Sequence, residues 1–101
     1  MTSMFKSSKY HGDLTYWNTS KCKNMHSMFE NTSFNGDISN WDVSHVEYFN
    51  SMFHNTSFNG DISKWKPKSC VSMSYMFADA MFNNDISQWD VSNVEDMTAL
   101  F

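Results

Sequence analysis

One spacing governs this chain: Trp17, Trp41, Trp65 and Trp89 each lie 24 residues from the next. The pairs Met4-Phe5, Met28-Phe29, Met52-Phe53 and Met76-Phe77 keep the same interval, and Leu100-Phe101 continues it. The stretch Phe34-Asn35-Gly36-Asp37-Ile38-Ser39-Asn40-Trp41 returns as Phe58-Asn59-Gly60-Asp61-Ile62-Ser63-Lys64-Trp65. It returns again as Phe82-Asn83-Asn84-Asp85-Ile86-Ser87-Gln88-Trp89, and a worn first copy is Tyr10-His11-Gly12-Asp13-Leu14-Thr15-Tyr16-Trp17. A period held without slippage means a repeat array in which neighbouring units supply one another's core.

Cut at Met-Phe, the chain is a single domain over 1–101. It holds four units, 4–27, 28–51, 52–75 and 76–99, the start of a fifth, and no separate caps. Phe34, Ile38, Trp41, Phe58, Ile62, Trp65, Phe82, Ile86 and Trp89 are the apolar positions of the motif and are read as core. Asp37, Asp61 and Asp85 are its fixed carboxylates. Trp is read as closing a corner, with its indole N–H on a turn carbonyl.

Two local patterns suggest secondary structure. Val46, Phe49, Met52 and Phe53 fall at i, i+3, i+6 and i+7, which makes one apolar helical face. Ser44-His45-Val46-Glu47 and Ser92-Asn93-Val94-Glu95 match a capping box, with Val43 and Val91 placed as staples. Helices are therefore expected near 45–54 and 93–101, with Pro67 shifting the start of the third one. Asp61-Ile62-Ser63 reads as a three-residue strand whose copies would stack about 4.8 Å apart in a parallel ladder. One strand and one helix per unit predicts an α/β leucine-rich-repeat-like solenoid, whose units run about 20–29 residues.

Composition narrows the function. The net charge is −4 and Arg is absent, which argues against nucleic acid as a partner, since phosphate binding calls for clustered basic side chains. Lys64, Lys66 and Lys68 form the one basic cluster, flanked by Asp61, and read as a solvated edge. No run is long and apolar enough to insert in a membrane, and the N-terminus lacks the apolar core of a signal peptide.

No catalytic constellation is visible, so an enzyme is not expected. Cofactor and metal ligands are likewise not expected. His11, His26, His45 and His54 occupy four different columns. Cys22 and Cys70 share a column with Val46 and Val94 and read as small buried hydrophobes. They lie two units apart, about 10 Å, beyond disulfide reach. The Asp13, Asp37, Asp61 and Asp85 column has two readings, a Ca²⁺ ladder or Asx-turns that cap local backbone; the second is favoured. Three formal glycosylation sequons, at Asn18, Asn31 and Asn55, read as turn composition.

The motif Phe-Asn-x-Asp-Ile-Ser-x-Trp-Asp-Val-Ser-x-Val-x-x-Met-x-x-Met-Phe, followed most fully by residues 82–101, resembles the BspA-like leucine-rich-repeat surface proteins of mycoplasma-type bacteria. That resemblance implies an exposed array at the cell surface, used for adhesion or for binding a protein or glycan. The alternative is a structural spacer that self-associates end to end. Columns that face a ligand should vary between units. Those that vary here include Glu47, Tyr48, Lys66, Val71, Glu95 and Asp96, on the corner after Trp and the segment that follows it.

Overall fold

The structure is a computed structural model and describes residues 2–7 and 13–101. Tyr10, His11 and Gly12 of the first motif copy lie outside the described residues. Successive 24-residue units stack in register, and the molecule measures 34 × 28 × 23 Å.

The expected α/β leucine-rich-repeat solenoid is not what forms. Among the described residues there is no helix, and the only extended pairing is a row of single parallel bridges, Asn24 to Tyr48, Tyr48 to Ser72 and Ser72 to Asp96. The segments 45–54 and 93–101, expected as helices, are chains of turns crossing from unit to unit. Backbone amides decide this. An α-helix would send each N–H to the carbonyl four residues back. Here Phe49, Ser51, Phe53 and Asn55 instead donate forward to Ser72, Ser74, Met76 and Ala78 of the next unit, at 2.9–3.0 Å. Between them, Met52 and His54 donate three residues back, to Phe49 and Ser51.

The capping box fails for the same reason. The Glu47 amide, which a helix would place in its first turn, donates 2.8 Å to Lys23 of the preceding unit. The Ser44 amide is taken by Asp42 Oδ1 at 3.0 Å.

Left-handed backbone marks these turns. Ser27, Ser51, Tyr75 and Ala99 have φ between 49° and 57°, and Asn31, Asn55 and Asp79 between 54° and 60°. A positive φ at the third residue is what a type II turn requires, and it interrupts any right-handed helix. Asn suits that region; Ser, Tyr and Ala occupy it at a cost.

The expected strand at Asp61-Ile62-Ser63 is a turn too, with the Trp65 amide donating 3.1 Å to the Ile62 carbonyl. The parallel ladder exists, but it runs through the Tyr48 column instead. Nor does Pro67 displace anything. The Cys70 amide donates to Pro67 at 3.1 Å, as Val46 does to Val43 and Val94 to Val91. Among the described residues the Val43 and Val91 amides donate to nothing, so a residue without an N–H fits that column with no bond lost.

The core is a set of aromatic columns. Phe5, Phe29, Phe53, Phe77 and Phe101 stack with ring centroids 5.5–5.8 Å apart. Phe34, Phe58 and Phe82 form a second column at 6.4 Å, and Phe53 meets Phe58 at 4.4 Å. Parallel, offset rings add to the burial of the large apolar surfaces. Ile38, Ile62, Trp41, Trp65 and Trp89 are buried beside them, while Ile86 is half-buried.

Gly36 and Gly60 are required by close approach. A Cβ on Gly60 would sit 2.7 Å from the Phe58 ring, and one on Gly36 would sit 2.9 Å from Phe34.

Candidate binding surface

Each unit makes tight turns that place polar side chains outward, and short polar residues shape them. Asp37 Oδ1 accepts from the Ser39 amide at 2.9 Å and its hydroxyl at 2.7 Å. Asp61 does the same with Ser63, and Asp13 and Asp85 accept from the amides of Thr15 and Ser87. The motif carboxylates are thus Asx-turn acceptors, as the sequence favoured. Bonds from the Ser39 hydroxyl and then its amide hold Asp37 below the usual carboxylate range. A second row, Asp42 and Asp90, accepts from the amides of Ser44 and Ser92. In the first unit Asn18 does this work for Ser20.

The varied positions fall along one surface. Glu47 and Val71 are half-buried at the ladder, each passing a backbone bond to the unit before it. Tyr48, Lys66, Glu95 and Asp96 are exposed. Tyr48, Ser72 and Asp96 occupy one bridge column with one backbone geometry, yet their side chains are aromatic, hydroxylic and acidic. Asn50 donates to the Ser72 hydroxyl and, at 2.8 Å, to Ser74. Six residues past the ladder column, Glu30 accepts from His54 Nδ1 at 3.1 Å and pairs with Lys6 at 3.2 Å. Burial pushes Glu30 up, but bonds from Ser27, His54 and Lys6 outweigh it and hold the carboxyl below its usual range.

The interior motif residues take no part in this surface. The indole nitrogens of Trp41, Trp65 and Trp89 donate to the carbonyls of Leu14, Ile38 and Ile62 at 2.9–3.0 Å. Cys70 is buried, and burial pushes its thiol up to about 11, which leaves it protonated and poorly nucleophilic. Cys22 is half-buried, and both thiols donate weakly to a carbonyl two residues on. Among the described residues no group of His, Cys, Asp and Glu is close enough to hold a metal ion.

Sequence reasoning missed a neighbourhood. It read Lys64, Lys66 and Lys68 as a linear cluster. The stack sets Lys66 and Lys68 on the same corner as Lys21, Lys23 and His45, one or two units along it, because Ser20-Lys21, Ser44-His45 and Lys68-Ser69 are the same turn in successive units. A groove of about 470 Å³ is lined by Ser20, Lys21, Lys23 and His45. Another of about 510 Å³ is lined by Asn18, Lys21, Cys22, Lys23 and Asn24. The signal was available: two periods back from Lys66 and Lys68 lie Asn18 and Ser20, next to Lys21 and Lys23 in the chain.

Units without helices, tied by inter-unit backbone bonds and filled by aromatic columns, define a turn-built repeat protein with a fixed interior and a varied outer face. The chain belongs to the family described as Mycoplasma protein of unknown function, DUF285, whose model matches residues 1–101. No curated protein and no solved structure matches the chain.

Proposed function

We propose that this chain is a non-enzymatic binding module that presents its ladder and the adjoining corner to a protein or glycan. One observation carries the reading. Along the ladder the backbone repeats from unit to unit while the exposed side chains change, as in Tyr48 and Asp96, with the small Ser72 buried between them. A spacer needs no such variety on a surface whose backbone is already satisfied. The likeness of the motif to BspA-like surface proteins, taken with the family's mycoplasma description, supports a place at the cell surface and a role in adhesion.

Arrays of purified proteins and glycans test this, with Glu47→Lys/Tyr48→Ala and Glu95→Lys/Asp96→Lys as probes. The expected result is a ligand whose affinity falls at least tenfold in one of these variants while the melting temperature holds. Binding indifferent to every exposed substitution on this side of the stack would refute the reading.

A further inference from the structure

We infer that the corner carrying Lys21, Lys23, Lys66 and Lys68 binds an acidic polysaccharide, one bearing sulfate or carboxylate groups along its length. The inference rests on the reading of the chain as a binding module and names the ligand class of one part of its surface.

The chain is acidic overall, at −4, yet four of its seven cationic residues, Lys21, Lys23, Lys66 and Lys68, fall on this corner, and Lys64 stands just ahead of it, before Trp65. All five are exposed. Among the described residues the ion pairs involve Lys6 and His54 instead, so the corner lysines have no carboxylate at ion-pair distance. Of the acids nearby, Asp42 has Oδ1 committed to the Ser44 amide, and Lys68 and His45 help to lower its pKa after the Ser44 bonds. Asp61 likewise holds Ser63. Glu47 is the remaining acid of the middle units on this side.

The repeat departs from its own pattern where this charge sits. Units two and four read Asp-Val-Ser-x-Val-Glu after Trp, at 42–47 and 90–95. In unit one, Asn18 replaces the Asp and Lys23 replaces the Glu. In unit three, Lys66 replaces the Asp, Lys68 the Ser and Val71 the Glu. Each of these departures removes negative charge or adds positive charge, and all fall on one corner. The interior columns of the same units keep their Ile or Leu and their Trp. A solvated edge with no partner gives no reason for that bias.

Lys21 and Lys23 line both of the open surface grooves on this corner. Asn18 and Asn24 line one of them and use only Oδ1 internally, on Ser20 and His26. Each keeps its amide NH₂ for sugar hydroxyls. Tyr16 stands 92% exposed two residues before Asn18, in the turn column that holds Lys64 two units on, and offers an apolar ring face to solvent. Lysine is a flexible point charge, suited to sulfate or carboxylate spaced along a polymer. The planar fork that reads phosphate and base edges belongs to Arg, which is absent.

The test is binding of the whole chain to a sulfated polysaccharide and, separately, to a polyuronate, by titration calorimetry at rising salt. A single-stranded RNA of matched charge is the third arm. Expected is binding to one or both polysaccharides that weakens steadily with salt. It should fall at least tenfold in Lys21→Glu/Lys23→Glu and again in Lys66→Glu/Lys68→Glu. Lys6→Gln, in the Glu30 and His54 column away from this corner, should change it less than twofold. If one pair of substitutions lowers the melting temperature, the other pair decides. No binding to either polysaccharide, binding unmoved by both lysine pairs, or tighter binding to RNA overturns the inference. A protein or glycan ligand that responds to Glu47 and Tyr48 but ignores polyanions would overturn it and leave the binding-module reading standing.

Discussion

The indole N–H of Trp65 donates 3.0 Å to the carbonyl oxygen of Ile38, 27 residues earlier and one unit back. That same oxygen accepts the Trp41 amide at 3.2 Å. One buried carbonyl therefore closes the turn of its own unit and ties down the next. Trp41 with Leu14 and Trp89 with Ile62 repeat the arrangement, so the tryptophan column acts as a seam along the stack. Trp65→Phe should cost about 1–3 kcal/mol, combining a lost buried hydrogen bond with the small cavity left by the shorter ring system. Trp17→Phe, at a half-buried position, should cost less. Urea unfolding of the two variants checks the order.

Gly60 and Asn84 occupy the same column, but only the glycine lies where a Cβ would strike a phenylalanine ring. Gly60→Ala should destabilise by about 1–3 kcal/mol through overpacking against Phe58, and Gly36→Ala should do so against Phe34. Asn84→Gly should lose the side-chain bond to the Gly60 carbonyl at 3.1 Å and cost under about 1 kcal/mol, because that bond is exposed. Equal costs at 60 and 84 would show that the ring contact does not matter.

Acid should loosen the molecule through its Asx-turns. Asp13, Asp37, Asp42, Asp61, Asp85, Asp90 and Asp96 are all held below the usual carboxylate value by hydrogen bonds from the residue two further on. A group whose pKa is lowered by folding adds stability that is full above its unfolded value and is lost as pH falls through its folded value. The melting temperature should therefore be level from neutral pH down to the ordinary aspartate range, near about pH 4, and decline below it. Asp37→Asn, which keeps the acceptor oxygen, should flatten part of that decline; Asp37→Ala should lower stability at neutral pH as well. A melting temperature constant down to the acid limit of the measurement would count against the turns as the source.

Left-handed backbone at Ser51 and Tyr75 makes a further distinction. Ser51→Gly should be close to neutral, since relief of the strained φ is offset by the freer unfolded chain. Ser51→Val should cost about 1–3 kcal/mol, because a β-branched residue resists that region. Were this segment helical, the order would reverse, with glycine the worse of the two. Circular dichroism of the unmodified chain should lack a helical signature.

Much of this molecule was legible in its residues. The 24-residue interval put Phe34 over Phe58 and Phe82, and made the Ile38 and Trp41 columns interior. The Asp-x-Ser pairs implied the turns they make, since a short carboxylate reaches the amide two residues on with no help from the rest of the fold. The varied columns at Tyr48 and Glu47 were visible as variation before their geometry was known. By contrast, the basic corner was missed although the period held its signal, because Lys21 and Lys66 come onto one corner only when the units are stacked.

Secondary structure was decided by tertiary contact. The spacing of Val46, Phe49, Met52 and Phe53 fits a helix, but it fits equally well a succession of three-residue turns that return apolar side chains to one side. What separates the two is the destination of each amide. Phe49 and Phe53 have a carbonyl of the next unit within 3.0 Å, and Glu47 has one from the unit before. A backbone N–H can be satisfied in either way, locally or by a neighbour. The chain alone sets which side chains must be inside; only the stacked units determine that the amides bond across the stack and not along it.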